Sequence, residues 1–125
     1  MKEVILVGIG GFSGSILRYV ISVGLAKYLD EKIYYATCFI NLLGSLLIGL
    51  LVAYFSRQPS AMGLVLVVGF CGGFTTFSTF SHEGLQLIRS GLYLEYALYS
   101  FISILGGLLL CFLGFYFGSR GQSLT

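Results

Sequence analysis

The residues of this chain best suited to bind an ion lie at positions 69–83, in a run that mixes glycines, aromatic rings and hydroxyl side chains. A double glycine at Gly72 and Gly73 predicts a break in a helix, because glycine loses the most backbone freedom on folding and readily leaves helical geometry. Such a break exposes backbone carbonyls and amides. In a membrane these groups must face protein, a cavity or an ion, since hydrocarbon offers them no partner.

Two aromatic rings and a set of hydroxyls follow the predicted break. At 100° per residue, Phe77 and Phe80 stand about 60° apart on a helix that is expected to resume at Thr75. Polar side chains occupy most of the remaining circumference, namely Thr75, Thr76, Ser78, Thr79, His82 and Glu83. Because an aromatic ring has a positive edge, ring edges together with hydroxyl and amide donors can hold a small, unpolarised anion. For an isolated pair of phenylalanines, packing is the more common role.

An asparagine lies in the second apolar run. Asn41, Ser45 and Gly49 recur every four residues, so they share one helix face, and that face must meet protein. Taken alone, Asn41 is interpreted as a residue that holds two helices together by hydrogen bonds, which is the more common role of an asparagine in a membrane helix. The alternative is that its amide offers N–H donors to an anion in a pore.

The last apolar run carries Tyr99, Ser103 and Gly107 at intervals of four residues, again on one narrow face. A row of hydroxyls on one face is consistent with a lined pathway. The ordinary alternative is that the hydroxyls bond to carbonyls of their own helix.

The first apolar run contains a helix-packing motif and a charge. Gly10 and Gly14 form a small-xxx-small pair, a spacing that lets two helices approach closely. Arg18 is costly inside a span and by default faces protein or water, although it can also snorkel to the interface.

Apolar helices must position all of these residues. The 125 residues are 57% hydrophobic and only 10% charged, and their mean hydropathy is +0.95. Four apolar runs, at residues 4–26, 33–55, 62–80 and 96–117, each approach the ~20 residues that span a bilayer as a helix. A cleavable signal peptide is a disfavoured alternative for the first run. The sequence therefore predicts an all-α membrane protein, a single domain of four transmembrane helices over residues 1–125, with the third helix broken between Gly72 and Thr76.

The positive charges are balanced across the predicted membrane. With four spans the two termini share one side, and each side carries three Lys or Arg residues: Lys2, Arg57 and Arg120 on one, Lys27, Lys32 and Arg89 on the other. The positive-inside rule then has no preference. This balance favours a chain that inserts in both orientations and pairs with an inverted copy of itself, whereas a fixed orientation set by weaker cues is the alternative. The net charge of +2 is too small and scattered to suggest a nucleic-acid partner.

Enzyme chemistry is not indicated. The sequence contains no Walker motif, nucleophile elbow or paired metal ligands. His82 and Glu83 are adjacent, but neighbouring residues of a helix point about 100° apart. Cys38, Cys71 and Cys111 lie in three different runs and are interpreted as small buried hydrophobes. A nearly uncharged interior favours passive conduction over proton-coupled pumping.

Three segments together resemble the Fluc (CrcB) fluoride channel family. They are Gly10-Gly11-Phe12-Ser13-Gly14 leading to Arg18-Tyr19, then Asn41-Leu42-Leu43-Gly44, then Gly72-Gly73-Phe74-Thr75-Thr76-Phe77-Ser78-Thr79-Phe80-Ser81. The similarity extends over the whole chain in length, span count and motif order. The third segment is highly specific, and the other two are weak alone.

The resemblance implies an architecture and a set of functional residues. It implies an antiparallel, dual-topology homodimer in the bacterial inner membrane, surrounded by lipid, with two fluoride pathways between the subunits. A structural sodium ion at the dimer centre would be held by backbone carbonyls of Gly72 and Thr75. The implied pathway residues are Asn41, Phe77, Ser78, Thr79, Phe80, Tyr99 and Ser103. Arg18 matches a family arginine assigned to a vestibule, while Gly107 lacks a hydroxyl that some members have there.

The resemblance also implies passive export of cytoplasmic fluoride. An interior-negative potential contributes about 2.3 kcal/mol per charge per 100 mV to expulsion of the anion, so no energy coupling is needed. Two alternatives are a small multidrug-type transporter and a non-conducting membrane scaffold. The first depends on a mid-membrane glutamate in the first span, where this chain has Arg18 and no acid. A flux assay distinguishes a non-conducting scaffold from a channel.

Overall fold

The computed structural model describes residues 1–30, 32–56 and 60–121, and these residues form four helical spans long and apolar enough to cross a membrane. The first two are α1 (Lys2–Leu29) and α2 (Tyr34–Phe55). The third is divided into α3, made of Ala61–Gly63, Leu64–Cys71 and Gly72–Phe74, and α4 (Phe77–Arg89). The fourth is α5, made of Tyr93–Phe101, Ile102–Gly106 and Gly107–Gly121. Each predicted apolar run falls on one of these spans, but the third span continues to Arg89, beyond the predicted end at Phe80.

The spans pack as two close pairs, α1 against α3 and α2 against α5. The α1 contact is made by the predicted small residues, since Gly10 and Gly14 are both buried. A Cβ added at Gly14 would overlap the carbonyl oxygen of Phe70 and lie 2.9 Å from the amide nitrogen of Phe74. The prediction of a close helix approach at Gly10 and Gly14 is therefore confirmed.

We expect Gly14→Ala to destabilise the protein by about 2 kcal/mol, because the added methyl group meets α3 backbone that cannot move aside. Gly24→Ala is the matched control, since Gly24 lies in the same helix with nothing within 4 Å of its added Cβ. Both substitutions raise helix propensity equally, so the difference between the stabilities of the two variants reports the cost of the clash with α3. Thermal unfolding in detergent, followed by circular dichroism, measures it. Equal midpoints for the two variants would contradict the contact.

The third span is broken within the predicted interval, but the glycines are not the break. Gly72 has helical dihedral angles (φ −63°, ψ −37°), and the backbone leaves the helix at Thr75 (φ −83°, ψ 159°) and Thr76 (φ −150°, ψ 118°). Helix resumes at Phe77 and not at Thr75 as expected. The reason is local capping: the Thr76 hydroxyl accepts a hydrogen bond from the Thr79 amide, which favours extended geometry at Thr76.

The glycines before the break serve close packing instead. A Cβ at Gly69 would lie 2.9 Å from the Gly10 Cα, and a Cβ at Gly73 would lie 2.9 Å from the Gly11 Cα. The α1 backbone therefore passes directly over this part of α3. Gly72 itself has open space where a Cβ would point.

Two stretches of the spans are π-helical, Leu64–Cys71 in α3 and Ile102–Gly106 in α5. π-Helical turns are rare and often occur at functional sites. Here they contain Cys71 and Ser103, which face the same groove described below. Among the cysteines, Cys38 and Cys71 are buried, as expected, and Cys111 is half-buried.

The charged ends of the spans are exposed where the structure describes them, at Lys2, Lys27, Lys32, Arg89 and Arg120. Arg57, the remaining cation in the balance of charges, lies outside the described residues.

Candidate functional site

A groove of about 540 Å³ opens at the break of the third span, where α2 and α5 face the junction of α3 and α4. It brings together six of the predicted site residues: Asn41, Gly72, Thr75, Phe77, Phe80 and Ser103. All the described residues that line it are uncharged. The groove therefore combines ring edges, hydroxyls, an amide and freed backbone in one place.

Asn41 holds the unwound backbone. Its Oδ1 accepts a hydrogen bond from the Thr76 amide at 2.8 Å, and its Nδ2 donates to the Thr76 carbonyl at 3.0 Å. This pairing gives the Thr76 amide the partner that it loses at the break, as buried backbone groups require, and adds a second donor to the carbonyl of this N-cap residue. An asparagine amide has two N–H bonds, so one remains beyond this pair. The structure thus confirms that Asn41 joins two spans by hydrogen bonds. Asn41 also lines the groove.

The hydroxyls after the break bond chiefly to one another. The Thr76 and Thr79 hydroxyls are 2.9 Å apart, and the Ser78 hydroxyl is 3.3 Å from that of Thr76. Ser78 is exposed, whereas Thr79 is half-buried. Neither residue lines the groove, in contrast to Phe77 and Phe80 on either side of them.

Phe77 and Phe80 form a ring pair at the groove. Their centroids are 5.7 Å apart and their planes are tilted by 34°. Phe80 continues to Tyr99, whose ring centroid lies 4.9 Å away. Phe77 is 79% exposed, so the described part of the chain leaves most of its ring uncovered. The pair is therefore not a packed core pair in the usual sense.

Tyr99 is buried, and its hydroxyl does not point into the groove. It donates a hydrogen bond to Oε2 of Glu83 at 2.8 Å, while the Thr37 hydroxyl donates to Oε1 of the same carboxyl group at 2.8 Å. In the sequence, Glu83 lies just beyond the third predicted apolar run, and Thr37 carries no signal that singles it out. The available signal was helical spacing, because Glu83 shares the α4 face that buries Gly84 and Leu87.

The polar face of α5 contacts α2 at Ser103 and at Gly107. The Ser103 hydroxyl donates to the Cys38 sulfur at 3.6 Å, and a Cβ at Gly107 would lie 3.3 Å from Ser45 Oγ. Ser45 in turn donates to the Asn41 carbonyl of its own helix at 2.7 Å. The hydroxyl missing at Gly107 is thus replaced in space by that of Ser45.

Arg18 faces protein and not the groove. Its Nε donates to the Gly73 carbonyl at 3.1 Å, and the Ser15 hydroxyl donates to the same oxygen at 3.3 Å. Arg18 therefore holds the end of α3 just before the break. The default expectation for an intramembrane arginine is confirmed, and a vestibule role stays a prediction.

Several carbonyl oxygens around the break already have partners. Cys71 O accepts from Thr75, Gly73 O from Ser15 and Arg18, and Thr76 O from Asn41. Within the described part of the chain, no side-chain donor reaches the carbonyls of Gly72 or Thr75. Both residues line the groove. A hard cation prefers oxygen ligands such as backbone carbonyls, so Gly72 and Thr75 stay the predicted sodium ligands.

Comparisons with known proteins agree on one family. The family described as CrcB-like protein, Camphor Resistance (CrcB), matches residues 5–115. The fluoride-specific ion channel FluC of Bacteroides fragilis is 41% identical over 125 residues, with 96% of this chain and 98% of the relative covered. The proteins of the same name from Phocaeicola vulgatus (40% over 116 residues, 91% and 96% covered) and Elusimicrobium minutum (43% over 119 residues, 94% and 91% covered) are similarly close.

Proposed function

This chain belongs to the CrcB-like protein family, and we propose that it is a fluoride-selective ion channel of multi-pass membrane topology. Its relatives are named as channels and not as enzymes. The observation that carries the proposal is the groove at the break, because it gathers Asn41, Phe77, Phe80 and Ser103 with no charged side chain among its described lining. An anion can be held there without being trapped by a fixed cation.

Selection of fluoride requires replacement of its water by protein donors. Near Phe80 the groove offers the remaining Asn41 N–H, the positive edges of two rings and the Ser103 hydroxyl, which fluoride binds in place of the Cys38 sulfur. Fluoride is small and strongly hydrated, so short-range donors favour it over larger halides. The absence of a mid-membrane acid in the described groove lining fits passive conduction, since proton coupling needs a titratable group in the path.

The pathway requires a second subunit in this proposal. The groove is open along the side where Phe77 is 79% exposed, so one chain cannot enclose it. Balanced positive charges on the two sides favour an inverted partner over a parallel one. An antiparallel homodimer then forms two equivalent pathways between its subunits, because each chain contributes one groove and one exposed Phe77 ring.

Direction follows from the membrane potential. A passive pore in a membrane with a negative interior lets fluoride leave the cytoplasm down its electrochemical gradient, at about 2.3 kcal/mol per 100 mV. We place the protein in the bacterial plasma membrane on the basis of its bacterial relatives.

The function is tested by fluoride efflux from liposomes that contain only this protein, followed with a fluoride electrode. We expect efflux far above that of protein-free liposomes and chloride efflux at the protein-free level. Absence of any anion flux from a correctly folded protein would reject a channel function. Equal fluoride and chloride flux would reject selectivity.

A sodium ion at the dimer centre is part of the same proposal, with carbonyls of Gly72 and Thr75 as its ligands. A bound sodium ion would supply a positive centre that satisfies these oxygens in both subunits. Arg18 and Ser15 fit this assignment, because both donate to the carbonyl of Gly73, which is not one of the two proposed ligands.

Replacement of sodium by N-methyl-D-glucamine during purification is expected to lower the dimer fraction and to reduce fluoride flux about tenfold or more, because unpaired carbonyls then face one another across the interface. Size-exclusion chromatography reads the dimer fraction independently of flux. If the dimer fraction and the fluoride flux both recover when sodium is added, and do not recover with lithium, the sodium site is supported. An unchanged dimer fraction and flux in sodium-free buffer would argue against it.

A further inference from the structure

A glycine of α2, Gly44, lies against the unwound backbone of the third span. It is buried and lines the groove. A Cβ added at Gly44 would overlap the Cγ2 methyl group of Thr75 and would lie 3.3 Å from Cδ1 of Phe74. The Thr75 methyl group therefore occupies the space that a side chain at position 44 would take.

This contact differs from that of Gly49, the other glycine of α2. A Cβ added at Gly49 would overlap the backbone carbonyl of Cys111 on α5, so Gly49 sets the distance between two helical backbones. Gly44 instead receives a side chain from Thr75, whose backbone is extended (φ −83°, ψ 159°). Of these two glycines, only Gly44 contacts the break itself.

The Thr75 side chain is held at both branches of its Cβ. Its hydroxyl donates a hydrogen bond to the Cys71 carbonyl at 2.9 Å, and its amide donates to the same oxygen at 3.0 Å. Its methyl group packs against Gly44. Because the two heavy atoms on a threonine Cβ turn together about χ1, fixing one against α3 and the other against α2 selects one rotamer.

Asn41, one helical turn before Gly44, holds the other side of the same peptide unit. Its Oδ1 accepts a hydrogen bond from the Thr76 amide at 2.8 Å. In a planar trans peptide the N–H and the C=O point in opposite directions, so the Thr75 carbonyl points away from Asn41. The two residues of α2 thus set this carbonyl from both ends, Asn41 through the Thr76 amide and Gly44 through the Thr75 side chain.

We propose that Gly44 is a positioning residue for the cation at the break. Because position 44 has no side chain, the Thr75 methyl group packs directly against α2, and this packing fixes the direction of the Thr75 carbonyl, one of the two proposed sodium ligands. A methyl group at position 44 displaces Thr75 from α2, turns the peptide between Thr75 and Thr76, and weakens sodium binding. This inference rests on the sodium site of the proposed function.

The test compares Gly44→Ala with Gly49→Ala in the full-length protein. Size-exclusion chromatography measures the dimer fraction as sodium chloride replaces N-methyl-D-glucamine chloride, and gives the sodium concentration at half-maximal dimer. In Gly44→Ala we expect this concentration to rise about tenfold, because overpacking at the break displaces a ligand. Gly49→Ala is the matched control: its methyl group meets the Cys111 carbonyl, so it should lower the thermal unfolding midpoint and leave the sodium concentration within about twofold of wild type.

An unchanged sodium concentration in Gly44→Ala would overturn the proposal. An equal rise in Gly49→Ala would also overturn it, since the effect would then report general loss of stability.

The decisive variant is Gly44→Ala combined with Thr75→Ser. Serine lacks the methyl group that the new side chain would overlap and keeps the hydroxyl that bonds to the Cys71 carbonyl. Since contacting residues are energetically coupled, the double variant should return to within about threefold of the wild-type sodium concentration, and it should form a sodium-dependent dimer even if Gly44→Ala alone forms none. Lack of this rescue would overturn the inference alone, whereas a wild-type dimer that forms equally without sodium would reject the proposed sodium site and the inference with it.

Discussion

We expect Phe80→Ile to lower fluoride flux about 100-fold, which corresponds to ~2.7 kcal/mol on the barrier. The Phe80 ring lines the groove and contacts both neighbouring rings, at 5.7 Å from Phe77 and 4.9 Å from Tyr99. Isoleucine fills part of the same volume but has no positive ring edge for an anion. Electrode-monitored efflux per dimer measures the effect, and size-exclusion chromatography shows that the dimer remains.

The matched control is Phe101→Ile on α5, whose ring is 62% exposed and does not line the groove. The same loss of an aromatic ring there should leave flux within about twofold of wild type, since substitutions away from packed or functional contacts have small effects. If Phe80→Ile conducts as well as Phe101→Ile, the ring of Phe80 has no role in the pathway.

Asn41→Asp is expected to lower fluoride flux by about 100-fold as well, for two separable reasons. A carboxylate can still accept the Thr76 amide hydrogen but cannot donate to the Thr76 carbonyl, so one of the two bonds across the break is lost. It also places a negative charge in an uncharged groove, where it repels an entering anion.

Asn41→Ala separates these two effects. Alanine loses both bonds to Thr76 but adds no charge, so the backbone clamp is weaker than in Asn41→Asp. If charge in the pathway dominates, Asn41→Asp conducts less than Asn41→Ala. The opposite order, in dimers of equal stability, would assign Asn41 to the backbone clamp alone and remove it from the ion pathway.

The helical architecture could be predicted from the sequence because hydropathy and glycine spacing report directly on membrane spans and close packing. The break was predicted in the right interval for an incomplete reason. Gly72 and Gly73 suggested it, yet both remain helical, and the extended pair is Thr75 and Thr76. Propensity alone could not reveal that Asn41, 35 residues earlier in the chain, bonds to both the amide and the carbonyl of Thr76 at the break.

The candidate site could be predicted only in part. Asn41, Phe80 and Ser103 share the groove, as a polar face on each of three spans suggested. The carboxylate at Glu83 was missed because an acid near a helix end normally faces water, and only the packing of α4 between α2 and α5 buries it. The role of the Phe77 and Phe80 rings came from family resemblance, since their spacing alone favours packing.

The π-helical turns could not be predicted either. Ser103 was placed on one face with Tyr99 by α-helical periodicity, but the backbone is π-helical over Ile102–Gly106. Ser103 nevertheless lines the groove, whereas Tyr99 turns its hydroxyl to Glu83. Simple periodicity therefore overestimated the continuity of the polar row.

The most direct measurement of passive fluoride conduction is flux under an imposed membrane potential. Liposomes that contain only this protein are loaded with potassium fluoride, and valinomycin with a potassium gradient sets the potential. Fluoride efflux should begin at once when the potential is negative inside, and the driving force on fluoride should point inward when the potential is reversed. After the flux of protein-free liposomes is subtracted, fluoride flux should not depend on a pH gradient. Fluoride movement that follows the pH gradient at zero potential, or no fluoride flux from folded dimer, would contradict the account.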